Sequence, residues 1–110
     1  AEAAAHLNKL PEARSRLLKL VENRYTPEGY EQKKNEINAM SQEKLVTEIL
    51  KERARELAFE GHRWFDLRRT TRPEIKKEIE DVTYTLVQDD SRYTLRIPQD
   101  AIDANPGLLN

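Results

Sequence analysis

The stretch KERARELAFEGHRWFDLRRT, residues 51–70, constrains the fold most, because it is strongly charged and strongly aromatic at once. It holds Phe59, Trp64 and Phe65, in a chain with one Trp, four Tyr and two Phe. Ser41 suits a helix N-cap and Glu43 suits the first turn, so a helix is predicted from Ser41 to about Glu60. At about 100° per residue, Val46, Ile49, Leu50, Leu57 and Trp64 form one apolar stripe. Arg53 and Glu60 fall inside that stripe, and Glu56 and Arg63 lie at its edge. Charges so placed are costly unless paired. The i,i+3 spacings offer Arg53 with Glu56 and Glu60 with Arg63, so a partly buried ion network is expected. On a continuous helix Phe59, Trp64 and Phe65 point three ways, which predicts cover on nearly all sides. Gly61, among them, marks a kink or a close backbone approach.

Upstream, the Ala-rich segment Ala1–Leu7 is helix-prone, and Asn8-Lys9-Leu10-Pro11 breaks it. A second helix follows from Pro11 to Arg24, with Leu10, Ala13, Leu17, Leu20 and Val21 on one face. Two helices so closely joined make an αα-hairpin, similar to one tetratricopeptide unit without a second copy. Residues 25–40 have poor periodicity. Thr26-Pro27-Glu28-Gly29 is turn chemistry, so this part reads as a loop with at most one helical turn. Tyr25 and Tyr30 flank that turn. They pin the loop to the helices or, as the alternative, form a ligand platform.

Downstream, Leu67, Arg68 and Arg69 finish the central element, Thr70-Thr71-Arg72-Pro73 stops it, and Pro73 opens a short helix through Ile75 and Ile79. The period then switches to alternation. VTYTLV (82–87) and RYTLRI (92–97) flank QDDS, and a turn at Asp89-Asp90 pairs Leu86 with Tyr93, Tyr84 with Leu95 and Val82 with Ile97. Pro98 ends the second strand and Asn105-Pro106-Gly107 makes a last turn. The expected fold is mainly α: tetratricopeptide-like helical hairpins over 1–72, then a short helix, a small β-hairpin and a terminal turn over 73–110.

Composition excludes several functions. With 35% charged and 37% hydrophobic residues in 110, the core is thin, and the start on AEAAAHL without Met or a cap suggests a piece of something longer. Nineteen basic against twenty acidic residues give a net charge of −1, so no basic nucleic-acid face is implied. Cysteine is absent, no apolar run approaches the ~20 residues of a membrane span, and no signal peptide is present. Glu56 and Glu60 sit one turn apart near His62, yet no Glu-x-x-His accompanies them, so neither a di-iron site nor any other metal or cofactor is expected. His6 and His62 lack a nucleophile partner, and glycines at 29, 61 and 107 form no phosphate loop. The chain does not read as an enzyme. Arg68, Arg69 and Arg72 read as helix-end cations, with Asp66 at i−3 from Arg69.

The run ILKERARELAFEGHRWFDLRR resembles the C-terminal signature of the SusD/RagB family. The matching positions are Glu52-Arg53, Glu56-Leu57, Phe59-Glu60-Gly61, Arg63-Trp64 and Asp66-Leu67 with Arg69. A second piece, Tyr93 through Ile97-Pro98 with Ile102 and Asn105-Pro106, lies in the right order. The resemblance implies a C-terminal part of a cell-surface lipoprotein of the outer membrane in Bacteroidetes-type bacteria. Such a protein binds glycan or peptide nutrient and delivers it to a SusC-like TonB-dependent transporter. It implies tetratricopeptide-like helical hairpins, with no carried-over ligand contacts, so Arg53, Glu56, Glu60, Gly61, Arg63, Trp64 and Asp66 are expected to be framework. The family often places Gly after the Arg-rich end, where this chain has Thr70-Thr71. The lipid-bearing cysteine is absent from this sequence. The expected partners are the transporter, an oligosaccharide and the rest of a longer chain, with self-association of the exposed apolar surface. The other function class is a generic helical protein-interaction module without a glycan role.

Overall fold

Helix starts and stops set the architecture. The computed structural model describes residues 1–109. The chain divides into two compact units, one of residues 1–62 and one from Arg63 onward. The first contains α1 (Glu2–His6), α2 (Leu10–Glu22), α3 (Pro27–Ala39) and α4 (Gln42–Glu56). A five-residue helix such as α1 is not stable alone. It is held by packing on α2 and α4 and by its C-terminal cap. There Asn8 takes φ 55°, Asn8 N–H donates to Ala5 O and Lys9 N–H to Ala4 O, the double bond of a Schellman ending.

The predicted αα-hairpin is present, and Ala13, Leu17 and Val21 are its buried face. They join Ala4, Ala5, Ile37, Leu45 and Ile49 in one core. The three alanines let backbones approach. Each buried Leu, Ile or Val contributes about 1.5–3 kcal/mol over an exposed one.

Residues 25–40 are not a loop. Thr26 is an N-cap whose Oγ accepts from Gly29 N–H, and Pro27 occupies the first turn of a thirteen-residue helix. The same residues that suggest a turn serve equally as a helix start. The period was hidden because the inward face of α3 runs Tyr30, Lys33, Ile37, with a lysine where an apolar residue would have revealed it.

The central helix is shorter and rotated relative to the expectation. It ends at Glu56, not Glu60, and Leu57–Gly61 form turns. Ser41 stands at the N-cap, but its side chain makes no capping hydrogen bond. The fully buried positions of α4 are Leu45, Glu48, Ile49 and Glu52, while Val46, Leu50, Arg53 and Leu57 are half-buried. Phe59 has φ 66° and is fully exposed, and Phe65 is exposed as well. Cover on all sides is therefore absent, because the chain leaves the helix before those residues. Gly61, at φ 77°, fulfils the expected break.

The second unit holds α5 (His62–Arg69, whose first residue belongs to the first unit), β1 (Ile75–Ile79), β2 (Val82–Leu86) and α6 (Gln99–Ala104). Short 3₁₀ turns lie at Ser91–Tyr93 and Pro106–Leu109. The β-hairpin exists, one strand earlier than predicted. Residues 75–79 form a strand, not a helix, and pair antiparallel with β2 in the register Ile75↔Leu86, Lys77↔Tyr84, Ile79↔Val82. The loop is Glu80-Asp81, at φ 48° and 61°. Both positive values are what a two-residue hairpin loop requires. QDDS does not join two strands: Asp90 caps the 3₁₀ turn by accepting from Arg92 N–H at 2.9 Å. Residues 92–97 therefore do not pair with β2, and Pro98 is the N-cap of α6.

Candidate functional site

The ion network predicted from charges within the stripe exists in the first unit, one turn earlier along α4 and with other members. Glu48 and Glu52 are four residues apart and both buried, with relative exposures of 8% and 6%. Lys33, reaching from α3, brings Nζ to 2.5 Å from Glu48 and 4.0 Å from Glu52. Arg55 Nη1 lies 2.5 Å from Glu52 and 3.7 Å from Glu48. Tyr25 completes the cluster by donating its hydroxyl to Glu52 Oε1 at 3.1 Å. Just outside, the Arg24 guanidinium donates to both carboxylate oxygens of Glu56.

The electrostatics are balanced. Burial pushes the Glu48 carboxyl up, but the hydrogen bond and charge of Lys33, with Lys51 and Arg55 beyond, outweigh it and hold it below its ordinary value. Burial pulls Lys33 down, and the Glu48 bond and charge outweigh that too, so the ammonium ends above its ordinary range. Burial and then the Glu52 charge raise the Tyr25 phenol. Glu48 and Lys33 thus each hold the other in its charged form. Among the described residues no group of three or more His, Cys, Asp or Glu is disposed to hold a metal ion.

The two candidate tyrosines are not brought together. Tyr25 borders a small depression with Gly29, Gln32, Lys33 and Glu36, and its hydroxyl is held by Glu52. Tyr30 is half-buried against the core and lines a groove of about 500 Å³ with Arg14, Lys19 and Asn38. The Lys34 ammonium lies 5.5 Å from its ring centroid. Tyr25 is thus tied to α4 through Glu52 and Tyr30 packs on the core, while the loop they were expected to pin is itself the helix α3. Between α2 and α4, Leu17, Leu20, Ile49, Arg53 and Leu57 line a further cleft of about 330 Å³.

The motif residues are spread over both units. Arg53 is half-buried on α4, and Glu56 turns to Arg24. Glu60 is exposed, with His62 Nε2 at 4.0 Å, so it is not the buried charge that periodicity predicts. Arg63 is exposed. In the second unit the Trp64 ring stacks on buried Tyr93, centroids 5.1 Å apart and planes 12° apart. The Tyr93 hydroxyl donates to Pro73 O. Asp66 is buried and bound to Arg69 at 2.8 Å, as its i+3 spacing predicts. Thr70 Oγ donates to Asp66 O and Arg72 Nε to Arg68 O, which closes the end of α5 as its cations suggest.

A model of the SusD family matches residues 1–110. The chain belongs to the SusD family. This is a family of nutrient- and glycan-binding proteins, generally associated with the cell surface and not catalytic. No curated protein matches the SusD-family chain. No helix among its described residues is long and apolar enough to cross a membrane. Lys33, Glu48 and Arg55 are the residues that sequence reasoning missed, and Glu52 and Tyr93 were singled out without their observed contacts. The i,i+4 acid pair on the Leu45–Ile49 face was the available signal for the first group.

Proposed function

We propose that this chain supplies the structural framework of a surface nutrient-binding protein, a lipoprotein that passes oligosaccharide to a SusC-like TonB-dependent outer-membrane transporter. The observation that carries the reading is the engagement of the motif with its own chain. Glu56 is bound by Arg24, Asp66 by Arg69, and Trp64 is stacked on Tyr93. A ligand platform needs aromatic faces and polar groups left free for hydroxyls and ring faces, whereas these are occupied. The family match over the whole chain supports the nutrient-binding setting.

The test has two arms. Calorimetric titration of the 110-residue chain with a panel of oligosaccharides should give no binding heat. An isotherm that Trp64→Phe or Glu56→Gln abolishes would move ligand contact into the motif and end the framework reading. In the second arm, the chain is mixed with proteoliposomes carrying a SusC-like transporter and sedimented. Co-sedimentation above that with empty liposomes is expected; none would remove the transporter from the reading.

A further inference from the structure

The β1–β2 hairpin is a two-stranded sheet, so both strands are edges. Such a hairpin is marginal by itself, and Ile79, Val82 and Tyr84 are exposed by 47%, 51% and 58%. The two edges differ in how they are guarded. Ile79 and Val82 are register partners flanking a two-residue loop, and such a closing pair is a hydrogen-bonded one. By antiparallel alternation the N–H and C=O groups of Tyr84 and Leu86 then also face β1, and those of Thr83 and Thr85 face outward. On β1 the outward groups belong to Lys76 and Glu78, flanking Lys77. Pairing β1 with itself about Lys77 sets one lysine opposite another but also sets Lys76 opposite Glu78 on either side, so what guards this edge is its row of hydrated charges. β2 carries no charge.

We propose that β2 pairs antiparallel with β2 of a second copy of this chain, about a two-fold axis at Tyr84. The segment Val82-Thr83-Tyr84-Thr85-Leu86 is nearly symmetric about its centre. The pairing sets Thr83 opposite Thr85, Val82 opposite Leu86 and Tyr84 opposite itself, all favourable cross-strand partners with no like charges opposed. Self-complementarity of this kind fits an identical partner better than an unrelated strand. One side chain stands in the way. The Arg92 guanidinium donates to the outward Thr85 O at 3.1 Å and is anchored on Asp90 at 2.8 Å. Arg92 occupies an acceptor that the second copy's Thr83 N–H needs, so it limits association.

Sedimentation equilibrium of the whole chain tests this, with variants R92A, R92A/T83K and R92A/T83P. Freeing the Thr85 carbonyls of both copies should tighten association about ten-fold or more in R92A. The second substitution should abolish it: T83K adds a charge at the edge, and T83P removes an outward N–H without touching the β1 ladder. Far-UV circular dichroism reports whether each variant folds, and T83K serves if T83P does not. An R92A variant that associates no more tightly than the parent overturns the proposal. So does an R92A/T83K variant that associates as strongly as R92A.

Discussion

Replacing Lys33 by Met tests whether α3 is held by charge. The substitution keeps most of the side-chain stem and removes the ammonium. Exposed ion pairs contribute at most about 1 kcal/mol, and removing one partner from a fully buried pair costs about 3–5 kcal/mol. The Lys33 and Glu48 side chains are 15% and 10% exposed, and Glu48 keeps Arg55 at 3.7 Å. The loss should therefore fall near 2 kcal/mol, between those limits. Since 1 kcal/mol shifts the melting point of a 60–100-residue domain by about 4–8 °C, a fall of about 10 °C is expected. The assay is a thermal melt by far-UV circular dichroism on the parent, K33M, E48Q and the double variant. The double variant should lose less than the sum of the singles, because the partners touch.

The same measurement has a pH arm with a definite sign. A carboxyl whose folded pKa is depressed contributes stability that is complete above its unfolded pKa and lost as pH falls through the folded one. Glu48 is such a group, so the parent keeps this contribution to below the ordinary Glu range of about 4.3, and K33M should begin to melt at higher pH. Lys33 is raised, so its share is complete below its unfolded value and lost as pH rises through the folded one. A K33M melt within about 2 °C of the parent, less than 1 kcal/mol predicts, would refute the electrostatic account of α3.

Three more outcomes are expected. The Arg92 guanidinium and then its backbone N–H lower Asp90 to about 2. Its contribution is complete above the unfolded aspartate value of about 3.9 and lost as pH falls through about 2; an NMR titration should find that midpoint, and R92A should return it toward 3.9. Gly61→Ala meets no atom within 4 Å but keeps φ 77°. Its cost is backbone strain alone, about 1–2 kcal/mol by urea midpoint, and less for Gly61→Asn. Tyr93→Phe leaves Pro73 O without its donor and should cost about 1–3 kcal/mol, with Trp64 fluorescence unchanged because the stack persists.

What sequence could reveal depended on whether each segment's apolar pattern was complete. The α1–α2 hairpin was legible because Ala13, Leu17 and Val21 keep helical spacing and all three are buried. α3 was not, because Lys33 interrupts its inward face. The hairpin was recognised but displaced, since Glu80-Asp81 turns the chain with a glutamate, unusual at positive φ, in its first position while Asp89-Asp90 offers stronger turn chemistry and caps a 3₁₀ turn instead. The burial of charge on α4 was foreseen correctly. Its members were misassigned because the 100° rotation was carried through Leu57–Gly61, where the helix has ended. The motif Arg53 to Asp66 revealed the family and the local Asp66–Arg69 pair but not its distant contacts: Arg24 lies thirty-two residues before Glu56, and no local spacing announces that bond.

Phe59 combines a left-handed backbone with a side chain that is fully exposed. A bulky residue at positive φ is strained, and this one gives up no buried contact when shortened. Most positions rank substitutions by how much packing they forfeit. At position 59 the order inverts: a scan of all replacements scored only by folding would place Gly first, Asn next and the β-branched residues last. Hydrophobicity, the usual guide to tolerance, would carry no information there.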